Sequence, residues 1–450
     1  MKIKTGFWLF VCFLLVQKAG AQSQTIHQFA LKDAIDYAKK YNYVLKNSKL
    51  DVLASQKKVN EIVAMGLPQV NASANVINNT QIPVQVIPNF LKQATGTGPD
   101  LIEVAFGRNF TSGVSVSANQ LLFDGTFFLG LKASKEFVNL SQLNVSRTEI
   151  ETEVNVSKAY FMVLLLESNE KMMLANLASL QKTQSDVAQF YKNGFSEKVD
   201  LDRLSLQLSN LSLQSEKIQD QKRIAMMVLK LQLGLAMADS LVLTDELEAL
   251  FAKSQVLAVG DKAEYTNRVE YKMLQQQLRL NQLDKRRYLV GYMPSVFLFA
   301  SHQQNAFGDD LGNLFETFYP GTAVGLSVTM PIFDGFRKHA QTQQASIGIT
   351  KTENDIKNFE NVINQQVYQA KSTYTRSKQQ LDIQKDNLIL AEDIYSKMEL
   401  KYKNGLGSSL ELTSAQADLE NARTNMLSTV FEYFVAELEL KKALGIINNK

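Results

Sequence analysis

The amino-acid sequence predicts a mainly α-helical fold with a smaller β part, in which a helix–β-hairpin–long helix–helix unit occurs twice. Three observations predict this fold. Short sequence landmarks return in the same order about 210 residues further along the chain. Two long stretches without proline carry apolar residues at helical spacing. Near the start of each copy, short segments alternate apolar and polar residues, as β-strands with one apolar face do.

The N-terminal segment 1–21 has the features of a secretory signal peptide. It begins with Lys2 and Lys4, continues with an apolar run over 7–16, and ends in the small residues 19–21. The run is too short to cross a bilayer as a helix. The sequence therefore predicts an exported protein, with a short N-terminal anchor as the alternative.

Charge and cysteine content argue against several classes of function. The chain has 48 basic and 45 acidic residues, and because Lys2, Lys4 and Lys18 lie in the signal segment, the remainder is balanced. A neutral chain gives no indication of a nucleic-acid partner. The single cysteine, Cys12, also lies in that segment. We therefore expect no disulfide, no thiolate chemistry, no metal site and no cofactor, and no pattern of residues indicates an enzyme.

The internal repeat sets the domain boundaries. Four landmarks recur in order, at 122–125 and 332–335, 191–194 and 402–405, 208–210 and 419–421, and 233–234 and 444–445. They predict a first repeat at 22–235, a connector at 236–262 and a second repeat at 263–450. The first copy has about sixteen additional residues within 78–109, which predict a long exposed loop.

Each repeat is expected to contain one very long helix. The proline-free stretches 126–193 and 336–403 would each form a helix of roughly 100 Å at about 1.5 Å per residue. Each ends in Tyr-Lys-Asn-Gly, whose Asn and Gly are typical of helix C-termini. Return helices are predicted at about 199–233 and 410–444.

The alternating segments predict one β-hairpin in each repeat, at about 68–122 and 294–332. A proline is expected to end the helix before each hairpin, and an aspartate to cap the helix after it, in the pairs Pro68 and Pro294, Asp124 and Asp334.

Strands with one apolar and one polar face are typical of outer-membrane barrels. Four strands cannot close a barrel, and open edges in lipid would leave backbone groups unpaired, so copies of the chain must share their strands. Two copies would give eight strands, and three would give twelve with room for a lumen. A soluble β-sandwich attached to coiled coils is the alternative. Aromatic residues near both hairpin ends favour the membrane, namely Phe123, Phe127, Phe128, Phe333 and Phe336 at one end and Phe315, Phe318 and Tyr319 at the other.

The order and spacing of these motifs resemble the TolC-like outer membrane factor family. The matching pieces are Leu-Pro-Gln-Val at 67–70, Phe-Asp-Gly at 123–125, Asn-Arg-Val-Glu at 267–270 (where the family has Pro in place of Val), Tyr-Met-Pro-Ser-Val at 292–296, Pro-Ile-Phe-Asp-Gly at 331–335 and the two Tyr-Lys-Asn-Gly turns.

This resemblance implies a homotrimer in the cell outer membrane. Each chain would contribute four strands to a twelve-stranded β-barrel in contact with outer-membrane lipid, and its helices would extend into the periplasm as an α-helical barrel. The family's role implies a passive exit duct of a tripartite efflux pump for small molecules or drugs. A periplasmic adaptor (membrane fusion) protein and an inner-membrane transporter of the RND or ABC type would be its partners. The alternatives are the duct of a type I protein secretion system and a barrel-anchored coiled-coil surface scaffold or adhesin.

The resemblance also implies a periplasmic gate near the second turn. Glu411 occupies the position of a pore-facing acid, and Tyr402 and Asp200 match a pair that holds the mouth closed in similar channels. The basic residue that strengthens this contact in the family falls on Gly407, and a second pore acid falls on Ser414. The alternative is that Glu411 and Asp200 are ordinary acids in the first turn of a helix.

The two turns are the expected docking sites for the adaptor. The residues implied are Gly194, Phe195 and Ser196 in the first turn and Gly405, Leu406, Gly407 and Ser408 in the second.

Overall fold

The computed structural model describes residues 26–90, 92, 96–194, 196–247, 249–250, 264–404 and 406–447. The expected signal segment 1–21 and part of the connector 236–262 lie outside the described residues. The chain divides into two compact units. The first unit comprises Met1–Tyr43, Glu151–Val259 and Ser372–Glu439, and the second comprises Val44–Ile150, Gly260–Lys371 and Leu440–Lys450.

The elements of the first repeat are, in chain order, β1 (Ile26–Phe29), α1 (Leu31–Tyr41), α2 (Tyr43–Met65), β2 (Gln69–Asn78), β3 (Val84–Pro88), β4 (Leu101–Ala105), β5 (Phe110–Phe123), α3 (Gly125–Lys192) and α4 (Lys198–Leu233). The elements that follow are β6 (Ser240–Leu243), a 3-10 turn (Tyr265–Asn267), α5 (Val269–Val290), β7 (Ser295–Gly308), β8 (Phe318–Thr329), α6 (Arg337–Lys403) and α7 (Ser409–Leu444). The long helices α3 and α6 have 68 and 67 residues. Among the described residues, no helix is both long enough and apolar enough to cross a membrane.

An antiparallel sheet of four strands, in the order β2-β5-β7-β8, forms the β part of the second unit. One strand from each repeat lies at the centre, and the outer strands β2 and β8 each have a partner on one side only within the described chain. Their outer backbone groups are therefore available to strands of another copy.

The two faces of this sheet differ in polarity because side chains alternate along each strand and the register aligns them across strands. We call the first the apolar face, which carries Val70, Ala72, Ala74, Val114, Val116, Ala118, Val296, Leu298, Ala300, Val324, Leu326 and Val328. The polar face carries Asn71, Ser73, Asn75, Ser115, Ser117, Asn119, Ser301, Gln303 and Asn305. The apolar face is exposed in the single chain, with 71% of Val324 accessible.

The additional residues of the first repeat, for which the sequence predicts a long exposed loop, contain regular structure. They form a second antiparallel hairpin, β3–β4, in which Val86 pairs with Glu103 and Ile87 with Ile102. Its β-branched residues favour strands, and this signal was hidden by the Gly, Pro and Asn residues around it. An ion pair between Arg108, which follows β4, and Asp309 joins the base of this hairpin to the loop between β7 and β8.

The starts of the two long helices differ. Asp124 Oδ1 accepts the backbone N–H of Thr126 at 2.7 Å, so Asp124 caps α3 as predicted. In the second repeat Gly335 and Phe336 both have positive φ, 64° and 62°, and α6 begins only at Arg337. Asp334 therefore lies before the cap position, although its carboxylate still accepts the Lys338 N–H at 3.3 Å.

The ends of the two return helices are alike. Gly234 and Gly445 follow α4 and α7 with φ of 76° and 70°. In each copy the next residue donates its N–H back to the helix, from Leu235 to Lys230 and from Ile446 to Lys441, both at 3.0 Å. A Cβ on Gly234 would lie 2.6 Å from the carbonyl oxygen of Tyr41. Close packing and backbone conformation together require glycine at this position.

A small parallel sheet, β1 with β6, belongs to the first unit. The buried Tyr160 of α3 supports it, since its hydroxyl lies 3.0 Å from the Phe29 carbonyl and 2.9 Å from Asp245 Oδ2. The same carboxylate accepts the N–H of Leu31 at 2.8 Å. The sequence did not predict β1, because a strand of four residues containing His and Gln has no clear alternation.

Candidate functional site: the two helix–helix turns

The first turn joins α3 to α4. Gly194 adopts φ of 80° and donates its N–H to Tyr191 O at 3.0 Å, which ends α3 where Asn-Gly was expected to end it. Ser196 follows, and its hydroxyl lies 3.3 Å from Asp200 Oδ2 in the first turn of α4. Phe195, a predicted docking residue, lies outside the described residues.

The second turn joins α6 to α7. The N–H of Leu406 returns to Lys401 O at 2.9 Å, and the Leu406 side chain is 81% exposed. Gly407 and Ser408 complete the turn, whereas Gly405 lies outside the described residues.

Glu411 takes part in a capping box at the start of α7. Its N–H donates to Ser408 Oγ at 3.2 Å, and its carboxylate accepts the Ser408 N–H at 3.4 Å. Both groups are exposed. The carboxylate therefore stabilises the helix end, and it remains accessible to solvent.

Asp200 connects the two turns. Its Oδ1 accepts the hydroxyl of Ser409 at 2.7 Å, which joins the first turn of α4 to the first residue of α7. This contact is partly buried and involves a charged acceptor, which makes such hydrogen bonds stronger than neutral ones. Nothing in the sequence pattern distinguished Ser409 from its neighbours.

Tyr402 packs against an apolar cluster instead of bonding to Asp200. Its ring contacts the buried cluster formed by Leu180, Val187 and Leu204. Burial raises the pKa of its phenol, and the carboxylates of Asp200 and Asp186 add to this effect. Among the described contacts, the Asp200 carboxylate accepts hydrogen bonds from the hydroxyls of Ser196 and Ser409.

A partly buried carboxyl lies further along α7. Burial raises the pKa of Glu420 to about 7, against the opposing effect of Arg423. The Arg423 guanidinium is 3.8 Å from Glu420 and 3.4 Å from Glu392 of α6. This residue was not singled out from the sequence, because burial of one acid in a helix of mixed composition cannot be seen without the packing.

The Asn-Arg-Val-Glu segment forms a polar cluster in the second unit. Arg268 is 5% exposed and donates to Glu270 at 3.1 Å, to Gln366 at 3.0 Å and to the Ala443 carbonyl at 3.1 Å. Although burial alone would raise it, the hydrogen bond and charge of Arg268 hold the pKa of Glu270 below its usual range. The segment thus ties the 3-10 turn to α6 and to the end of α7.

The described residues contain no group of three or more His, Cys, Asp or Glu side chains arranged to hold a metal ion.

Comparison with known proteins supports the resemblance to this family. Residues 272–446 match the family model described as outer membrane efflux protein. Outer membrane protein TolC of Salmonella enteritidis is 20% identical over 430 residues, covering 93% of this chain and 82% of that protein. Most of the second repeat therefore matches the outer membrane efflux protein family, and the similarity to TolC extends over nearly the whole chain. TolC of Escherichia coli K12 is 24% identical over 127 residues, and this match spans 28% of the present chain and 26% of TolC.

Solved structures confirm the predicted fold class. CusC has a TM-score of 0.72 at 18% identity, covering 96% of this chain and 95% of CusC. VceC of Vibrio cholerae has a TM-score of 0.66 at 16% identity, with 92% and 96% covered. The predicted location is also confirmed, since the relatives are outer-membrane proteins. The chain therefore lies in the outer membrane and extends into the periplasm, and the family that its second repeat matches is described as one of outer membrane efflux proteins.

Proposed function

We propose that the chain is one subunit of a homotrimeric channel that serves as the passive outer-membrane exit of a tripartite pump for small molecules. The open sheet β2-β5-β7-β8 is the observation that carries this proposal. It has one apolar face and one polar face, and it lacks partners at both outer edges in the described chain. Three copies would supply twelve strands and close the sheet around a lumen.

The polar face is suited to line that lumen. Asn, Ser and Gln side chains occupy about half of its positions, and Ser73 and Ser115 hydrogen-bond across strands at 2.9 Å. The four strands contain no Asp, Glu, Lys or Arg. A wall without charged side chains does not discriminate between solutes by charge.

Selectivity and partner contacts are assigned to the two helix–helix turns. Glu411, repeated in three subunits, would form an acidic ring that favours cations, and Asp200 with Ser409 would hold the resting mouth together. The accessible turn residues Gly194, Ser196, Leu406, Gly407 and Ser408 are the proposed contacts of a periplasmic adaptor, together with the predicted Phe195 and Gly405. The adaptor would in turn connect the channel to an inner-membrane transporter of the RND or ABC type.

Cross-linking at the turns tests the pathway. A cysteine in place of Ser196 or Ser408, used with a photoreactive thiol reagent in intact cells, should capture an adaptor that co-purifies with a multidrug transporter. Capture of an adaptor bound to a protein-exporting ABC transporter would instead establish the secretion duct. A cysteine at exposed Lys217 of α4, away from the turns, is the control. If the two turn positions capture no more adaptor than this control, the proposed docking site is contradicted.

A further inference from the structure

Three hydrogen-bonded polar residues interrupt the apolar face of the sheet. His302 on β7 and Thr322 on β8 are direct cross-strand neighbours, and Gln304 lies two residues along β7 on the same face. His302 Nδ1 is 2.8 Å from Thr322 Oγ1, and His302 Nε2 is 3.2 Å from Gln304 Nε2. Both contacts are exposed. We call these residues the polar triad.

The hydrogen bonds within the triad fix its donors and acceptors and leave two of its polar groups without a partner among the described residues. The amide nitrogen of Gln304 can only donate, so His302 Nε2 accepts and Nδ1–H donates to the Thr322 oxygen. The Thr322 hydroxyl proton and the Gln304 carbonyl oxygen have no further partner among the described residues. In hydrocarbon such groups would be costly, whereas beside a polar headgroup they would be satisfied.

The depth of the triad follows from the strand that carries Thr322. From Thr322 to Thr329, the last residue of β8, the strand covers seven steps, about 23 Å, or about 18 Å across a membrane at the usual strand tilt. The same face carries Val324, Leu326 and Val328 in between, and Ile332 and Phe333 follow with 95% and 76% of their surfaces exposed. Because the apolar band of such barrels is about 25 Å tall, the triad lies at its outer border when Ile332 and Phe333 lie at its periplasmic border.

We propose that the polar triad is a binding site for the sugar headgroup of the outer-leaflet glycolipid. This inference rests on the proposed barrel. The triad offers neutral donors and acceptors, which suit hydroxyl and amide groups of a sugar. A phosphate would call for Lys or Arg, and the four strands contain neither. Phe318, on the same face four residues beyond Thr322 towards the hairpin loop, provides a ring on which a sugar can stack.

A fluorescence titration of the full mature chain tests this site. The sequence has one tryptophan, Trp8 in the expected signal segment, so Val324→Trp would introduce a single reporter on the apolar face. Rough lipopolysaccharide and phosphatidylethanolamine are the two probes. In this background, His302→Leu with Thr322→Val should weaken lipopolysaccharide binding by about tenfold and leave phosphatidylethanolamine binding unchanged. Thr322→Val alone, which preserves the shape of the side chain, should weaken lipopolysaccharide binding by a smaller factor and again leave phosphatidylethanolamine binding unchanged.

Gln303→Leu is the matched control, because Gln303 is the next residue along β7 and its side chain lies on the opposite, polar face. Unchanged lipopolysaccharide binding in both triad variants, an equal loss for both lipids, or an equal loss in Gln303→Leu would overturn the site. Single-channel recording of the same preparations separates this failure from failure of the proposed function. A channel that conducts without lipid discrimination contradicts only the triad, whereas a preparation that never conducts contradicts the channel itself.

Discussion

The hydroxyl of Ser409 donates to Asp200 Oδ1 over 2.7 Å and so joins the turns of the two repeats. Asp200 stands at the start of α4 and Ser409 at the start of α7. The same carboxylate also receives the hydroxyl of Ser196 from its own turn. One acid therefore holds together the ends of two helical hairpins.

Removal of this contact should loosen the periplasmic end. We expect Ser409→Ala and Asp200→Asn to raise the mean single-channel conductance or open probability, because one charge-assisted hydrogen bond worth about 1–3 kcal/mol is lost. Thr413→Ala is the control, since the Thr413 hydroxyl bonds only within α7, to Leu410 O at 3.1 Å. Recordings in which the control and both variants are indistinguishable from the unmodified channel would exclude a gating role.

Substitutions at Glu411 separate charge from helix capping. Glu411→Gln keeps an acceptor for the Ser408 N–H and should lower cation selectivity and block by multivalent cations without a loss of stability. Glu411→Ala should lower selectivity equally and also reduce stability by about 0.5–2 kcal/mol, because the capping box is broken. Reversal potentials and thermal unfolding measure the two effects. Unchanged selectivity in both variants would reject the acidic ring.

The pKa of Glu420 predicts a dependence of stability on pH. Burial raises this pKa from 4.5 to about 7, so the folded state binds more protons than the unfolded state between these values. The free energy of unfolding should therefore fall as pH rises from 4.5 through 7. Glu420→Gln should flatten this decline and stabilise the protein at pH 8 by about 1–3 kcal/mol. Parallel unfolding curves for both proteins across that range would contradict the assignment.

The buried guanidinium of Arg268 should be among the most sensitive positions in the second unit. Arg268→Ala leaves Glu270, Gln366 and the Ala443 carbonyl without their donor. We expect a loss of about 3–5 kcal/mol, as for other broken buried ion pairs. Arg287→Ala provides the comparison, because Arg287 pairs with Asp284 at the surface and should cost less than about 1 kcal/mol. Denaturant unfolding of both variants measures the difference.

The long helices and the main strands were predictable because their signals are long or repeated. Proline-free stretches predicted α3 and α6, and period-two alternation predicted β2, β5 and β8. Repetition also linked Gly234 with Gly445, although their shared hydrogen-bond pattern became visible only in the structure.

Short elements and individual contacts could not be predicted in this way. Strand β1 has four residues, and hairpin β3–β4 lies among turn-forming residues, so neither gives a clear pattern. The hydrogen-bond partner of Asp200 depends on which side chains the packing places within reach of its carboxylate. The resemblance pairs Asp200 with Tyr402. In the structure the Tyr402 ring packs against the Leu180 cluster, and Asp200 accepts a hydrogen bond from Ser409.

The sharing of strands between subunits is the central claim, and cross-linking of the outer strands β2 and β8 tests it most directly. The only natural cysteine is Cys12 in the expected signal segment, so Asn71→Cys in β2 and Ser327→Cys in β8 would be the only thiols of the mature chain. A bismaleimide too short to reach across β5 and β7 should give a ladder of one, two and three linked chains in outer-membrane preparations. Recovery of single chains alone, with both thiols shown to be reactive, would contradict the shared barrel.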